Sequence, residues 1–238
     1  MARIALFSQA CRPSRVTRPC AATMGGAEMK TIHLMRHACT EMNVYLATHR
    51  WDAPGFVDPK LYDTKLTETG EKQAQAQQSM CSRLRPAPQL LVCSPMRRAL
   101  RTAELAFSGL PATVPRVVTA LCRERLYHSS DVGRSPQVMR QEFPGYAGWE
   151  QLPEVWWHAA ADPPDPLAHD PEPEDAFLER CRQFTLWLAA RPEASIAVVT
   201  HWGVIEALTQ IEFSNVELRT YRLQDLQVRR PRELVPPG

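Results

Sequence analysis

Three short apolar runs recur along this 238-residue chain, and each stops abruptly beside basic or imidazole side chains. Thr31–Met35 (TIHLM) gives way to Arg36-His37, Gln89–Cys93 (QLLVC) is followed by Arg97-Arg98, and Ser195–Thr200 (SIAVVT) runs into His201. Short, β-branched runs without polar alternation read as strands covered on both faces. Between them the pattern turns helical. Thr67 is placed to cap EKQAQAQQSMCSRL, which Pro86 and Pro88 stop. MRRALRTAELAF follows with Pro95 in its first turn, and Phe177–Ala190 (FLERCRQFTLWLAA) precedes SIAVVT. Arg116–Thr119 and Val216–Leu223 read as further strands, the second at an edge, and Val204–Gln210 as a helix. This alternation predicts an α/β fold, a three-layer α/β/α arrangement around a mainly parallel sheet, spanning residues 30–225.

In open sheets of this kind, ligands bind just beyond the carboxyl ends of the strands, where helix N-termini favour anions. A single His or Arg after a strand is ordinarily structural. Three such clusters at three strand ends point to one anion site. Residues 125–175 break the rhythm with many prolines and with Trp149, Trp156 and Trp157, and read as a cap-like insertion over that end of the sheet.

Composition narrows the alternatives. The formal charge is +2, but residues 1–27 hold Arg3, Arg12, Arg15 and Arg18 and no acid, leaving 24 basic against 26 acidic residues beyond them. A body so close to neutral gives no reason to expect nucleic acid as a partner. No apolar run approaches the roughly 20 residues that span a bilayer, so no membrane association is expected. Seven cysteines, scattered from Cys11 to Cys181 without paired spacing, fit free thiols better than disulfides or a metal site, and no cofactor is implied. Residues 1–29 have the composition of an organellar transit peptide; a disordered or untranslated leader, with starts at Met24 or Met29, is the other reading. A cytoplasmic and a chloroplast or other organellar location both stay open. The tail from 226 to 238 (LQVRRPRELVPPG) reads as loose, and the final strand's edge as a place where a second copy could pair.

The motifs carry a resemblance. LMRHACTEMN (Leu34–Asn43) resembles the Leu-x-Arg-His-Gly-x-Ser/Thr-x-x-Asn signature of the histidine phosphatase superfamily, in its phosphoglycerate mutase-like branch. DTKLTETGEKQA (Asp63–Ala74), CSPMRRALRTA (Cys93–Ala103), CRERL (Cys122–Leu126) and VVTHWGVI (Val198–Ile205) are similar to the elements that follow it, in the same order. The resemblance implies a phosphomonoesterase acting on a small phosphorylated metabolite through a phosphohistidine on His37. It implies Arg36 and Arg98 as phosphate-binding arginines, His201 as a second histidine that stabilises the equatorial oxygens when protonated, and Glu124 as general acid and base, with Asp131 and Glu142 as rivals. Thr40 and Asn43 match positions that reach phosphate or substrate, or else cap the following helix. Arg97 is expected to face away into solvent, and Glu124 would otherwise be a surface partner of Arg123 or Arg125. Two departures stand out: Ala38 replaces the signature glycine, and Trp202 replaces a small residue, where it crowds the pocket mouth or stacks on a substrate ring. His49, Arg50, Trp51, His128 and Arg134 are candidate selectors of the substrate. A phosphoryl-shuttling mutase and a non-catalytic phosphate-binding module are the competing readings.

Overall fold

The computed structural model describes residues 30–160, 167 and 170–230; the leader and its targeting reading, and residues 231–238 of the tail, lie outside them. Five strands form one sheet: β1 (Thr31–Arg36), β2 (Leu90–Cys93), β3 (Arg116–Val118), β4 (Ser195–Thr200) and β5 (Leu218–Arg222). Their order is β3-β2-β4-β1-β5, parallel throughout except for β5, which runs antiparallel to β1 at the edge. The central strands β1, β2 and β4 are almost wholly buried, as their unbroken apolar sequences require.

Alternate side chains of those strands feed two cores, which makes the fold three-layered. On one face Ile32, Leu34, Leu90, Val92, Ile196 and Val198 pack with helices α6 (Glu174–Ala190) and α7 (Trp202–Thr209). Helix α6 turns Phe177, Leu178, Cys181, Phe184 and Leu188 inward, the spacing of one helical face. On the other face Met35, Leu91, Cys93, Ala197 and Val199 meet α4 (Arg97–Ala106) and α5 (Pro136–Glu142). Beside α4 lies α2 (Glu68–Ala76) with its short continuation α3 (Gln78–Cys81). Helix α1 (Glu41–Thr48) starts immediately beyond the loop after β1.

Several expectations need correction. The helix expected after Thr67 is broken at Gln77, although Thr67 does cap it, its hydroxyl accepting from the Gly70 N–H at 3.0 Å. Pro95 stands outside α4, before its N-cap Met96. Residues 226–230, read as part of a loose tail, are docked: Leu226 is buried, and the N–H groups of Gln227 and Arg229 donate to Leu208 and Ala207 carbonyls of α7. Within 125–175, the indoles of Trp149, Trp156 and Trp157 fill core clusters. No helix among the described residues is long and apolar enough to cross a membrane.

Candidate active site

Sheet register brings the three clusters together. Arg36 of β1 pairs with Thr200 of β4, and Cys93 of β2 pairs with Val199, so the three strands end level. The next backbone groups stay in step: the His37 N–H donates to Thr200 O at 2.9 Å and the Ser94 N–H to Val199 O at 3.1 Å. Helices α4 and α7 leave β2 and β4 for opposite faces, opening a crevice between them. A pocket of about 490 Å³, open to solvent, lies there, lined by Arg36, His37, Arg98, Glu124, Asp131 and Trp202 among others.

His37 is 5% exposed, and its Nδ1 lies 2.8 Å from the Ala38 carbonyl. A carbonyl can only accept, so Nδ1 carries the proton and Nε2 keeps its lone pair. The ring of His201 stands 5.1 Å away, centroid to centroid. Its Nδ1 accepts from Arg98 Nε at 3.3 Å, so its proton is on Nε2, which donates to the Ser94 hydroxyl at 2.7 Å. Burial, then the nearby guanidinium of Arg98, hold both imidazoles well below their ordinary pKa. His201 is therefore neutral in the empty site.

The two arginines are anchored differently. Arg36, 4% exposed, donates from Nη1 to Phe213 O at 2.8 Å, while its buried Nε has no partner among the described residues. Burial lowers its pKa to about 10, so it stays charged at neutral pH. Arg98, 3% exposed, donates to Ser130 O at 2.7 Å and forms an ion pair of 2.9 Å with Asp131. Asp131 also accepts from the N–H groups of Tyr127 and His128, both at 3.1 Å, so it acts as a fixed counter-charge. Its other rival, Glu142, pairs with Arg97 and Arg134 outside the pocket. Arg97 faces away as expected, but into that ion pair rather than into solvent.

Glu124 lines the pocket floor, partly buried. Its Oε2 accepts from the Gly203 N–H at 3.1 Å and its Oε1 from the Arg125 N–H at 2.9 Å. Desolvation, then the charge of Asp131, raise its pKa to about 7. Neither Arg123 nor Arg125 takes it as a salt-bridge partner; they pair with Glu172 and Glu174. Behind it, Arg180 donates to the carbonyls of Leu121, Arg123 and Glu124 and is locked by two bonds to Glu172, the shorter 2.6 Å. Gly203 has no side chain for a steric reason: a Cβ there would stand 2.6 Å from Glu124 Oε1.

Thr40 and Asn43 line the pocket and also form a capping box at the start of α1, each side chain accepting from the other's N–H at 3.1 Å. Trp202, 3% exposed, lines the pocket at the first turn of α7. Of the candidate selectors, only His128 is in the lining. His49 stacks on Tyr45, Arg50 pairs with Asp52, Arg134 pairs with Glu142, and Trp51 lies edge-on to His128. Among the described residues no group of three or more His, Cys, Asp or Glu could hold a metal ion, and the five cysteines there are free.

Sequence reasoning missed several supports. The Ser94 hydroxyl accepts from His201 Nε2. Asn215 donates to the His37 carbonyl at 3.0 Å. Asp63 accepts from the Arg97 N–H at 2.9 Å, capping α4 from a distance, and burial lifts its pKa to about 6. Gly70 lets α2 pack on the loop after His37, since a Cβ would come within 2.0 Å of Cys39 O. Asp63 and Gly70 both sit in the motif Asp63–Ala74, the one signal that could have found them.

Comparison with known proteins finds relatives of this chain. A curated "phosphoglycerate mutase-like protein" of Arabidopsis thaliana is 25% identical, covering 82% of this chain and 85% of its own. A "probable phosphatase" of Schizosaccharomyces pombe is 28% identical, with 77% and 79% covered. Among solved structures, the ecdysone phosphate phosphatase of Bombix mori, in complex with tungstate, superposes with a TM-score of 0.52 at 14% identity over 88% of this chain and 94% of that one, a likeness of fold. The family model of the histidine phosphatase superfamily (branch 1) matches residues 32–229, and the chain belongs to that family.

Proposed function

We propose that this chain is a phosphomonoesterase that passes the phosphoryl group of a small ester through His37. The observation that carries the reading is the meeting of an unprotonated, fixed imidazole nitrogen with two guanidinium groups and a carboxyl whose pKa is about 7, all around one pocket. Phosphoryl transfer asks little covalent chemistry of the protein, so positioned charge must supply most of the acceleration. Arg36 and Arg98 hold the phosphate oxygens; Arg36 Nε gains the partner it lacks.

In the first step His37 Nε2 attacks phosphorus, the bond from phosphorus to the ester oxygen breaks, and Glu124 gives its proton to the departing alkoxide. In the second, the Glu124 carboxylate takes a proton from water, whose oxygen attacks phosphorus, and the N–P bond breaks. Inorganic phosphate leaves, and Glu124 is protonated again. A pKa near neutrality suits a group that must serve as acid and then as base. His201, with its Nδ1 taken by Arg98 and its Nε2 by Ser94, stays neutral and holds Arg98 in place beside the phosphate.

The test is turnover of p-nitrophenyl phosphate without any bisphosphoglycerate primer, together with an acid-labile label on His37 from a labelled ester. Turnover that depends on the primer would favour the mutase; no label and no turnover would favour a binding module. His37→Ala should abolish turnover while leaving the circular dichroism spectrum unchanged, and activity surviving that change would refute the assignment.

A further inference from the structure

Beside its charged residues the pocket has an uncharged wall of Met42 and Leu46 of α1, Tyr127, His128 and Trp202, and the rest of the uncharged lining is made of short polar residues. Behind His128 stand Phe56 and Trp51, with ring centroids at 5.5 and 6.4 Å. Two buried polar atoms of this wall, His128 Nε2 and Trp202 Nε1, have no hydrogen-bond partner among the described residues. An orphaned buried donor or acceptor is costly unless a ligand completes it.

The charges of the lining allow one anionic group. Its fixed cations are Arg36 and Arg98, and Asp131 already neutralises the second at 2.9 Å. A further guanidinium, Arg125, lies over the Tyr127 ring at 4.9 Å; its Nε donates to Glu172 O, and its Nη1 stands 3.9 Å from Glu174 without a hydrogen bond among the described residues. Arg50 and Arg134, the other cations expected to choose the substrate, pair with acids outside the lining. A second phosphate or a carboxylate on the substrate would have to stand against methionine, leucine and indole, with Asp131 and Glu124 nearby. Leaving such a charge unpaired is expensive.

From this wall we infer that the substrate is the phosphate monoester of an uncharged, ring-bearing alcohol with a hydroxyl or carbonyl group, rather than a phosphorylated acid or a bisphosphate. The ring lies against Trp202, Leu46 and Met42, and the polar substituent completes His128 Nε2 or Trp202 Nε1. The inference rests on the phosphatase reading above and narrows its substrate.

The test compares kcat/KM for 2-phenylethyl phosphate, glycerol 3-phosphate and 3-phosphoglycerate on the wild-type chain, three esters of ordinary alkyl alcohols, so that leaving-group chemistry weighs little in the ranking. Burying one ring should favour the phenylethyl ester over the glycerol ester by ~10²-fold, and 3-phosphoglycerate should be slower still. Trp202→Ala should erase most of the first advantage, lowering the ratio of phenylethyl to glycerol ester turnover by at least ~10-fold. Turnover in which 3-phosphoglycerate equals or exceeds the phenylethyl ester would overturn this inference and leave the phosphatase reading standing. Turnover of none of the three, with no label on His37, would overturn both.

Discussion

Replacing Glu124 by glutamine should remove activity and, above neutral pH, return stability to the fold. The carboxyl titrates at about 7 in the folded chain against 4.5 ordinarily, because burial and Asp131 disfavour its charge. Between those values the unfolded chain has released this proton and the folded chain has kept it, so stability falls as pH rises through the window, and the loss is complete above about 7. At roughly 1.4 kcal/mol per pH unit the interval sets a ceiling of about 3 kcal/mol. Solvent entering the pocket reaches the carboxylate and screens it, so about 2 kcal/mol is expected.

Glutamine does not titrate, so the variant escapes this loss. Its amide nitrogen cannot accept from the N–H of Gly203 or Arg125, which costs about 1 kcal/mol at every pH. Comparing the stability gap between wild type and variant at pH 4.5 and pH 8 cancels that constant, and it also cancels Asp63, whose raised pKa is common to both. Urea unfolding should show the gap moving by about 2 kcal/mol in the variant's favour at the higher pH, or ~4–8 °C in melting temperature for a domain of this size. Turnover of an alkyl phosphate should fall ~10²–10⁴-fold. An unchanged gap at the two pH values would mean that the carboxyl is not held protonated, and the acid and base role would lose its physical basis.

Two further outcomes follow from the surroundings of that carboxyl. Glu172→Gln weakens the buried anchor of Arg180 and Arg123 and should cost about 3–5 kcal/mol in urea unfolding, because it leaves two buried guanidinium groups without their carboxylate; a loss under 1 kcal/mol would show that the cluster is not needed to hold the loop of Glu124. Gly203→Ala places a Cβ 2.6 Å from Glu124 Oε1 and should push the acid out of line. Turnover of an alkyl phosphate, which needs a proton at its leaving oxygen, should then fall at least ~10-fold, and p-nitrophenyl phosphate, which needs it far less, should fall by under ~3-fold; equal losses on both would assign Gly203 a role unrelated to proton transfer.

The parts of this site that were legible in the sequence are those the chain encodes within a few residues. TIHLM, QLLVC and SIAVVT announce buried strands, and Arg36, His37, Arg98 and His201 stand just beyond them, so a parallel sheet alone suffices to bring them together. Thr67 and Thr40 are caps readable from their neighbours. What escaped is made of contacts between distant segments: Asn215 on the His37 carbonyl across 178 positions, Ser94 on His201 across 107, Arg180 on the Glu124 carbonyl across 56. No periodicity or spacing encodes these, because each depends on which loops the finished sheet places side by side. Counting residues suggests up to four cations around one space, yet packing them out of water makes the charged forms mutually unfavourable. The fold resolves this by keeping both imidazoles neutral and setting Asp131 against Arg98, so the empty pocket is far less positive than its residues imply. On the proposed reading the phosphate's own negative charge completes the electrostatics of this site, which asks no standing cation of the second histidine, held neutral between Arg98 and Ser94.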